Sequence, residues 1–598
     1  MKQNIKNQYV TYHLHSDLSL LDSCTKFQDY IDKAVELGQT AICFTEHGNI
    51  YNWVKKKYAC DKAGIKYLHG CEIYLTEQLD PKVRDNYHTI LIAKNMDGLR
   101  EMNKLISISN RPDHFYFKPR ITFEEFLNIS NNVIKISACL ASPLNKLDII
   151  NPSYERLLSK YDYYEIQPHI NSEEQKKYNK KLFEYSKKYN KPLIAGTDTH
   201  SLNQYKAECR SMLQLAKGIE FTNEDEFDLT YKSYEELVNM FDKQGALPRT
   251  VYLEAIENTN KMANSTETIV LDESFKYPKI YDDDIAEIKK RLNIMLQDKI
   301  DKGIIPKEQR KEFITHIREE VAVFEKINMC GFMLFMSDLI QWCHKSNIPT
   351  GPARGSCGGS CVAYVLDIID LNPIQWKTVF SRFANENRKE IGDIDVDFAP
   401  DDREAVYNHM IEEFGEEYTD YILAIGTVSD KGTIDEIGRA LSRKFPDNKD
   451  FSLESIKKVK NEYDKNPEKA KEDYPDIFYY FDGMLNTAIS QSMHPCGMVV
   501  SPITLADNYG EFYRDGKKII QIDMDAIHDV SLVKYDLLGL KNVGIIKDTC
   551  NSAGIDYPKT YKIDWNDQAV WDDMLRCPQG IDKLFMYPLA VMLSKKLG

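Results

Sequence analysis

The 598-residue chain has no CxxC pair. Its 13 cysteines form an odd, scattered set whose nearest approach is Cys357 and Cys361, which excludes a disulfide framework or zinc ribbon and fits a reducing compartment. No apolar run opens the chain, because Lys2, Lys6, His13 and Asp17 stand where a signal peptide would need one. No long uncharged apolar stretch follows, so a cytoplasmic protein without a membrane partner is expected. Positive charge is also scarce: 77 Lys and Arg against 92 Asp and Glu leave a formal charge of −15. That argues against holding nucleic acid by bulk charge, but not against an enzyme whose basic residues gather locally. What is present is ordinary for a globular protein, with 42% apolar and 28% charged residues. At roughly 100 to 200 residues per domain, about four domains are expected.

Over the first two hundred residues, β-favouring runs alternate with segments of helical period. The runs are 9–12, 41–45, 65–68, 90–93, 133–137 and 193–195, and between the first two Phe27, Ile31, Ala34, Val35 and Leu37 form one helical face. This alternation predicts a parallel sheet, in which working residues sit just past strand ends. After successive runs stand His13-Leu-His15 with Asp22, then Glu46-His47, Glu72, Cys139 and Asp198-Thr-His200, while His88 precedes its run. Imidazole, carboxylate and thiol groups bind zinc, manganese or iron, and clustered carboxylates repel unless cations join them. Two or three ions a few Å apart would acidify a water for in-line attack on phosphorus, so phosphoester hydrolysis is the expected chemistry. A single HxH is as often a structural histidine pair; the ordered set is far more specific.

That order, HLHSDLSLLD, TEHGN, GCE, YH, SACL and TDTH, resembles the PHP (polymerase and histidinol phosphatase) family over most of residues 8–205. The resemblance implies a distorted β/α barrel whose ligands are His13, His15, Asp22, His47, Glu72, His88, Cys139, Asp198 and His200. Glu46 stands where the family more often has Asp and is outside the ligand set.

Residues 206–330 read as a helical connector with an apolar stripe of Ile285, Ile288, Leu292, Met295 and Ile300, and Pro278 with its acidic run marks a boundary near 270–280. Then comes Gly351-Pro-Ala-Arg-Gly-Ser-Cys-Gly-Gly-Ser360, followed by a helix-like segment over 361–369. It matches neither the Walker pattern nor the dinucleotide fingerprint, but glycines ahead of a helix expose N–H groups to an anion. Residues 341–390 hold six Lys or Arg against four Asp or Glu, a local +2. Directly beyond, the alternation of Asp393-Ile-Asp395-Val-Asp397 predicts a strand with its carboxylates on one face. Carboxylates facing a phosphate loop suit two Mg²⁺ ions and nucleotidyl transfer.

FMSDLIQWCHKSNIPTGPARGSCGGS, FSRFANENR, IGDIDVDF, AIGTVSDKGTIDEIGRAL, HPCGMVVSP and VKYDLLGLKNV together resemble the C family of bacterial replicative DNA polymerases, which also begins with a PHP domain. The resemblance implies catalytic, Mg²⁺-binding carboxylates at Asp393, Asp395 and Asp536. It places the incoming triphosphate at Arg354, Gly355, Ser356 and Ser360, with support from Arg382, Arg388, Lys534 and His494. The implied layout is a multidomain α/β chain: PHP domain with helical extension over 1–275, palm with connector over 276–425, thumb over 426–492, palm continuation over 493–541 and the start of fingers over 542–598. Lys431, Arg439, Arg443 and Lys444 are candidate phosphate contacts of the thumb. After Ile581 the sequence leaves the family pattern, so a split or truncated enzyme is expected, polymerising poorly alone. Its expected partners are primed DNA template, dNTPs, a second chain supplying fingers and C-terminal domains, and a sliding clamp reached through that chain. Abundant Lys, Asn, Ile and Tyr fit an AT-rich bacterial or phage coding sequence. Three functions stay open: DNA-directed DNA polymerase, PHP phosphoesterase (a 3′–5′ exonuclease or pyrophosphatase), and noncatalytic DNA-binding or assembly fragment.

Overall fold

The computed structural model describes residues 8–219, 226–385, 394–569 and 572. The chain divides into two compact units, one of residues 1–278 and 407–535, the other of residues 279–406 and 536–598.

The first unit opens with eight strands: β1 (Ala41–Phe44), β2 (Lys66–Thr76), β3 (Tyr87–Ala93), β4 (Phe115–Tyr116), β5 (Lys118–Thr122), β6 (Val133–Ile136), β7 (Tyr164–Ile166) and β8 (Leu193–Ala195). The sheet is mixed, not parallel as expected. β1 and β5 run parallel to successive halves of β2, whereas β3 pairs antiparallel with β2 and β6 antiparallel with β3. The connection from β2 to β3, residues 77–86, holds no helix and is too short for a crossover, so the chain returns antiparallel. β7 and β8 form a separate parallel pair around helix Glu173–Tyr189. Among the described residues the ladders do not close into a barrel, but single bridges join Thr11 to Ile42, Leu14 to Thr199 and Ile136 to Tyr163. The 9–12 run, expected as a strand, contributes only such a bridge. β2 also outruns its expected end, so Glu72 lies within the strand and not past it.

Local signals agree with these elements. Helix Glu173–Tyr189 is capped by the Ser172 hydroxyl, carries Glu173 and Glu174 in its first turn and Lys187 and Lys188 in its last, and stops at Asn190 in left-handed backbone.

Later in the unit, strands Glu511–Arg514, Lys517–Asp523, Thr419–Thr427 and Ala488–Val500 lie side by side in that order. Arg514 pairs with Lys517 across Asp515-Gly516, both at positive φ (52° and 75°), as a two-residue hairpin turn requires. Ile422, Val499, Ile520 and Ile522 share one core with Ile50 and Trp53. Trp53 Nε1 donates to the Tyr509 carbonyl at 3.2 Å, and the Asn52 amide donates to Asp523 at 2.9 Å. A helical cluster buries Ile434, Leu441, Val459 and Phe481 against Met212 and Leu213. There the candidate phosphate contacts are engaged: Lys431 with Asp464 at 2.6 Å, Arg439 with Glu436 at 3.0 Å, and Arg443 with the Leu215 carbonyl. Lys444 lies over the Phe445 ring.

In the second unit, helix Asp284–Asp301 buries Ile288, Leu292, Leu296 and Ile300. Ile285, expected in that stripe, is exposed and Met295 only half-buried. The helix expected over 361–369 is confined to Cys361–Val365. Among the described residues no helix is long and apolar enough to cross a membrane.

Candidate metal centre and acidic strand

All nine ligand candidates of the first unit converge. Leu14 enters the core while its neighbours His13 and His15, also fully buried, turn the other way, as alternation along an extended segment dictates. His13 Nε2 lies 3.1 Å from Asp198 Oδ1 and 3.4 Å from Glu72 Oε1, and His15 Nε2 lies 3.4 Å from the same Asp198 oxygen. His47 stands between Glu72 (Nδ1, 2.7 Å) and Asp22 (Nε2, 2.9 Å), and His88 Nδ1 is 2.9 Å from Glu72 and 3.7 Å from the Cys139 sulfur. His200 Nε2 reaches Asp22 at 3.5 Å. The His15 ring stacks on those of His47 and His200 at 4.1 and 4.3 Å. Three ligand groupings have their donor atoms within 4.8 Å of one another: His15, His47 and His200; His13, His15 and Asp198; Glu72, His88 and Cys139.

Backbone strain delivers several of these groups. Leu21 (φ 66°) precedes Asp22, Ala138 (φ 60°) precedes Cys139, and Asp198 itself has φ 48°. Left-handed backbone at non-glycine residues costs of order 1–3 kcal/mol each and gathers at functional sites.

A supporting layer fixes the histidine tautomers. His13 Nδ1 faces the buried Glu165 at 2.7 Å, and Glu165 is itself held by Tyr12 and Gln167. The Ser19 hydroxyl donates to Glu46 at 2.6 Å, so it accepts from His15 Nδ1 at 3.1 Å. His200 Nδ1 donates to the Asp198 carbonyl at 2.8 Å. In these three rings Nδ1 is held by a protein partner and Nε2 faces the carboxylates, as a metal-binding imidazole needs, whereas His47 and His88 turn Nδ1 to Glu72. His13 Nε2 and His15 Nε2 are buried without a hydrogen-bond partner, so the residues present fit bound metal.

The charges agree. Burial opposes ionisation of Asp22, Glu72 and Asp198, yet neighbouring imidazoles, joined at Asp22 by Arg210, hold all three carboxyls well below the usual range. Burial and the adjacent His47 and His200 push His15 down to about 3, whereas against burial Asp198 and Glu165 push His13 well up and Asp22 and Glu72 push His47 up, so bound cations would have to displace those protons. Burial pushes the Cys139 thiol up; a cation is what would lower it. Glu46 is buried against Lys56 at 2.6 Å, each 1% exposed, and the lysine and serine hydroxyls hold its carboxyl low despite burial.

Sequence reasoning missed Glu165, Ser19, Lys56, Arg210 and Gln214. A carboxylate inside the β-favouring run Tyr-Tyr-Glu165-Ile was a readable signal for the first. Lys56 is hidden in a Lys-Lys-Lys stretch that looks solvated. Arg210 and Gln214, both bonded to Asp22, are ordinary members of an amphipathic helix.

In the second unit, strand Val396–Phe398 pairs in parallel with Leu537, Leu538 and Gly539 of strand Lys534–Gly539. One step back from the Val396–Leu537 pair stand Asp395 and Asp536. Asp395 lies just ahead of its strand; continued by one residue, the parallel register would set both carboxylates on the face opposite the buried Val396 and Leu537. Asp393 and Arg388 lie outside the described residues. On the strand's other edge Gly351 N donates to the Asp397 carbonyl at 2.8 Å, bringing the glycine loop alongside. A Cβ on Gly355 (φ 64°) would stand 3.4 Å from Asp395 Oδ2. Arg354 pairs with Asp397 at 2.9 Å.

Ser360 does not face outward as a triphosphate contact would. It is fully buried, donates to Glu320 at 2.7 Å and caps Ala363 N, while the Cys361 and Val362 amides also donate to Glu320. The acceptor at this helix end is therefore the protein's own carboxyl group. Ser356 lies in the short turn Gly355–Gly359, and Arg382 is exposed at the turn Phe380–Arg382. His494 and Lys534 belong to the first unit, where His494 Nδ1 accepts from Gly497 N at 3.2 Å and Lys534 lies 3.2 Å from the Met524 sulfur.

One site is rich in imidazole, and the other sets carboxylates beside a glycine loop. Residues 11–166 match the family described as PHP domain, and residues 287–539 match the bacterial DNA polymerase III alpha NTPase domain. The chain is related along nine-tenths of its length to bacterial DNA polymerase III alpha subunits, so the resemblance to the C family is borne out. It is 29% identical to the subunit of Borreliella burgdorferi (92% of this chain, 50% of that one) and 30% identical to that of Aquifex aeolicus (91% and 52%). The chain thus spans about half the length of these relatives. Two solved structures also align, an amidohydrolase from Chromobacterium violaceum (14% identity, TM-score 0.23, 32% of this chain and 87% of that one) and a two-domain protein containing a predicted PHP-like metal-dependent phosphoesterase from Bacteroides vulgatus (15%, TM-score 0.23, 40% and 63%). At such scores neither bears on the fold.

Two predictions follow from the supporting groups. Replacing Glu165 by Gln removes the carboxylate behind His13 and lowers metal affinity about 10- to 100-fold in a chelator competition titration. Burial pushes Glu320 up to about 7, above its ordinary 4.5. Its contribution is therefore complete below about pH 4.5 and is lost as pH rises through 7, on the order of 3 kcal/mol. Urea unfolding followed by tryptophan fluorescence at about pH 5 and pH 8 should show this loss in the wild type and not in Glu320→Gln.

Proposed function

We propose that the chain carries the nucleotidyl-transfer site of a DNA-directed DNA polymerase, which adds dNTPs to a primer 3′-hydroxyl on a DNA template. The observation that carries this reading is the place of Asp395 and Asp536, each one residue ahead of the paired Val396 and Leu537, with the glycine loop against Asp395. Mg²⁺ ions bound by these carboxylates and Asp393 would lower the pKa of the attacking hydroxyl and offset charge on the pyrophosphate leaving group. The 3′-hydroxyl would lose its proton to solvent as its oxygen bonds to the α-phosphorus, and the bond from that phosphorus to the oxygen bridging to the β-phosphate would break, releasing pyrophosphate. Backbone N–H groups around Gly355 and Ser356, with Arg354, are assigned to the triphosphate, and Ser360 stands behind them as a support of the loop. His494, Lys534, Arg382 and Arg388 keep the supporting part that the family resemblance implies, with palm and thumb as the domain names.

A second activity is favoured by the nine converging ligands of the first unit: metal-dependent phosphodiester hydrolysis, in which zinc, manganese or iron would supply an acidified water. We read its strands as a distorted β/α barrel, supported by the bridges that link the residue 11–14 segment to β1 and to the segment after β8, and β6 to the segment before β7.

The two activities separate by substitution. With Mg²⁺, dNTPs and a primed template, Asp395→Asn and Asp536→Asn should each reduce primer extension about 10³-fold, the loss expected for several kcal/mol of metal-ion stabilisation, while His13→Ala leaves extension in place. With Mn²⁺ and no dNTPs, His13→Ala should abolish shortening of the primer and the aspartate variants should not. Loss of both activities in either class of variant would contradict the assignment.

A further inference from the structure

Beside the metal centre lies a second cavity of 530 Å³, lined by Phe115, Phe117, Lys118 and Arg514 and sharing Asp22 and His47 with the 380 Å³ cavity that Glu72, His88, Cys139, Asp198 and His200 line. Its volume lies within the roughly 300–1,000 Å³ of small-ligand sites. Its lining is unusual for a surface that serves only the fold. Phe117 sits at the tip of the β4–β5 hairpin, where Tyr116 pairs with Lys118, and its backbone is left-handed at φ 58°. A bulky side chain rarely tolerates that conformation. Yet the residue is 77% exposed and Phe115 is 49% exposed, so burial of these rings does not repay the strain.

Cations accompany the rings. The Lys118 ammonium lies 5.2 Å above the Tyr74 ring, which is 5.0 Å from His88 and 6.4 Å from His47, so the hairpin is tied to the ligand set itself. Arg514 reaches the cavity from the Asp515-Gly516 hairpin and donates to the Gln491 carbonyl.

We propose that this cavity is a subsite for the unpaired 3′ end of single-stranded DNA, with the terminal base stacked on Phe117 and Phe115 and the backbone phosphates met by Lys118 and Arg514. Exposed aromatic faces next to cations are what single strands require, and a base has a π-face whatever its identity. The shared wall of Asp22 and His47 then brings the last phosphodiester to the metal ligands. This deepens the hydrolytic reading and rests on it for the identity of the adjoining centre: pyrophosphate would need the cations but has no use for the rings, whereas an unpaired DNA end uses both.

The test uses the whole chain and a single-stranded oligonucleotide with 2-aminopurine as its 3′ base, whose fluorescence falls on stacking. Binding by the wild type should quench it, Phe117→Ala should remove most of the quench, and Phe117→Trp should retain it. In Mn²⁺, Phe117→Ala should raise KM for 3′ shortening at least about tenfold, but leave unchanged the cleavage of an oligonucleotide ending in two abasic nucleotides. No quench, or an equal quench in wild type and Phe117→Ala, overturns the subsite, as does an equal loss on base-bearing and abasic ends. A Phe117-dependent quench without cleavage keeps the subsite and removes the hydrolytic reading. Cleavage indifferent to Phe117, without a Phe117-dependent quench, does the reverse.

Discussion

Three carboxylates, Asp22, Glu72 and Asp198, are gathered out of water in one small volume, and the first unit is organised around making that tolerable. Unscreened, they would repel one another and refuse to ionise. The fold answers by surrounding them with five imidazoles, by placing Arg210 and Gln214 against Asp22, and by committing Glu165, Ser19 and a backbone carbonyl to hold ring nitrogens in the required tautomer. Strained backbone at Leu21, Ala138 and Asp198 is a further cost of bringing the ligands together. Residues that look structural, such as the buried pair Glu46 and Lys56, act on the same problem, because Glu46 fixes the Ser19 hydroxyl that orients His15.

The second unit solves a related problem differently. Its carboxylates are brought together by strand register and not by enclosure: Asp395 and Asp536 sit half-exposed one step beyond the Val396–Leu537 pair. The glycine loop beside them is braced from behind by Glu320, which takes the amides and hydroxyl at the start of helix Cys361–Val365. The loop's geometry is thus set by an internal carboxyl group, leaving the turn at Gly355 as the face toward Asp395.

The ligand set was legible in the sequence because each member is a chemically distinctive residue, most of them just past a β-favouring run, and because HxH, EH and DxH keep partners within a few residues. The supporting layer was not, because its members are ordinary residues brought in from afar: Glu165 is 152 positions from His13, and Arg210 is 188 from Asp22. Sheet direction was misread for a similar reason. Alternating strand and helix signals imply parallel strands, but the helix-free link between β2 and β3 forces a reversal that periodicity does not register. The outward role expected of Ser360 failed because Glu320 belongs to a helix that read as a mere connector.

The central claim is that His13, His15 and their neighbours form a metal centre. The most direct measurement is a set of anomalous difference maps from crystals of the intact chain, recorded on either side of the zinc, manganese and iron absorption edges. The account predicts strong edge-dependent peaks within bonding distance of His13 Nε2, His15 Nε2 and the Glu72 and Asp198 carboxylates, with each Nδ1 still turned toward its protein partner. Maps without such peaks, from crystals grown with those metals present, or with His13 and His15 holding only water, would contradict it.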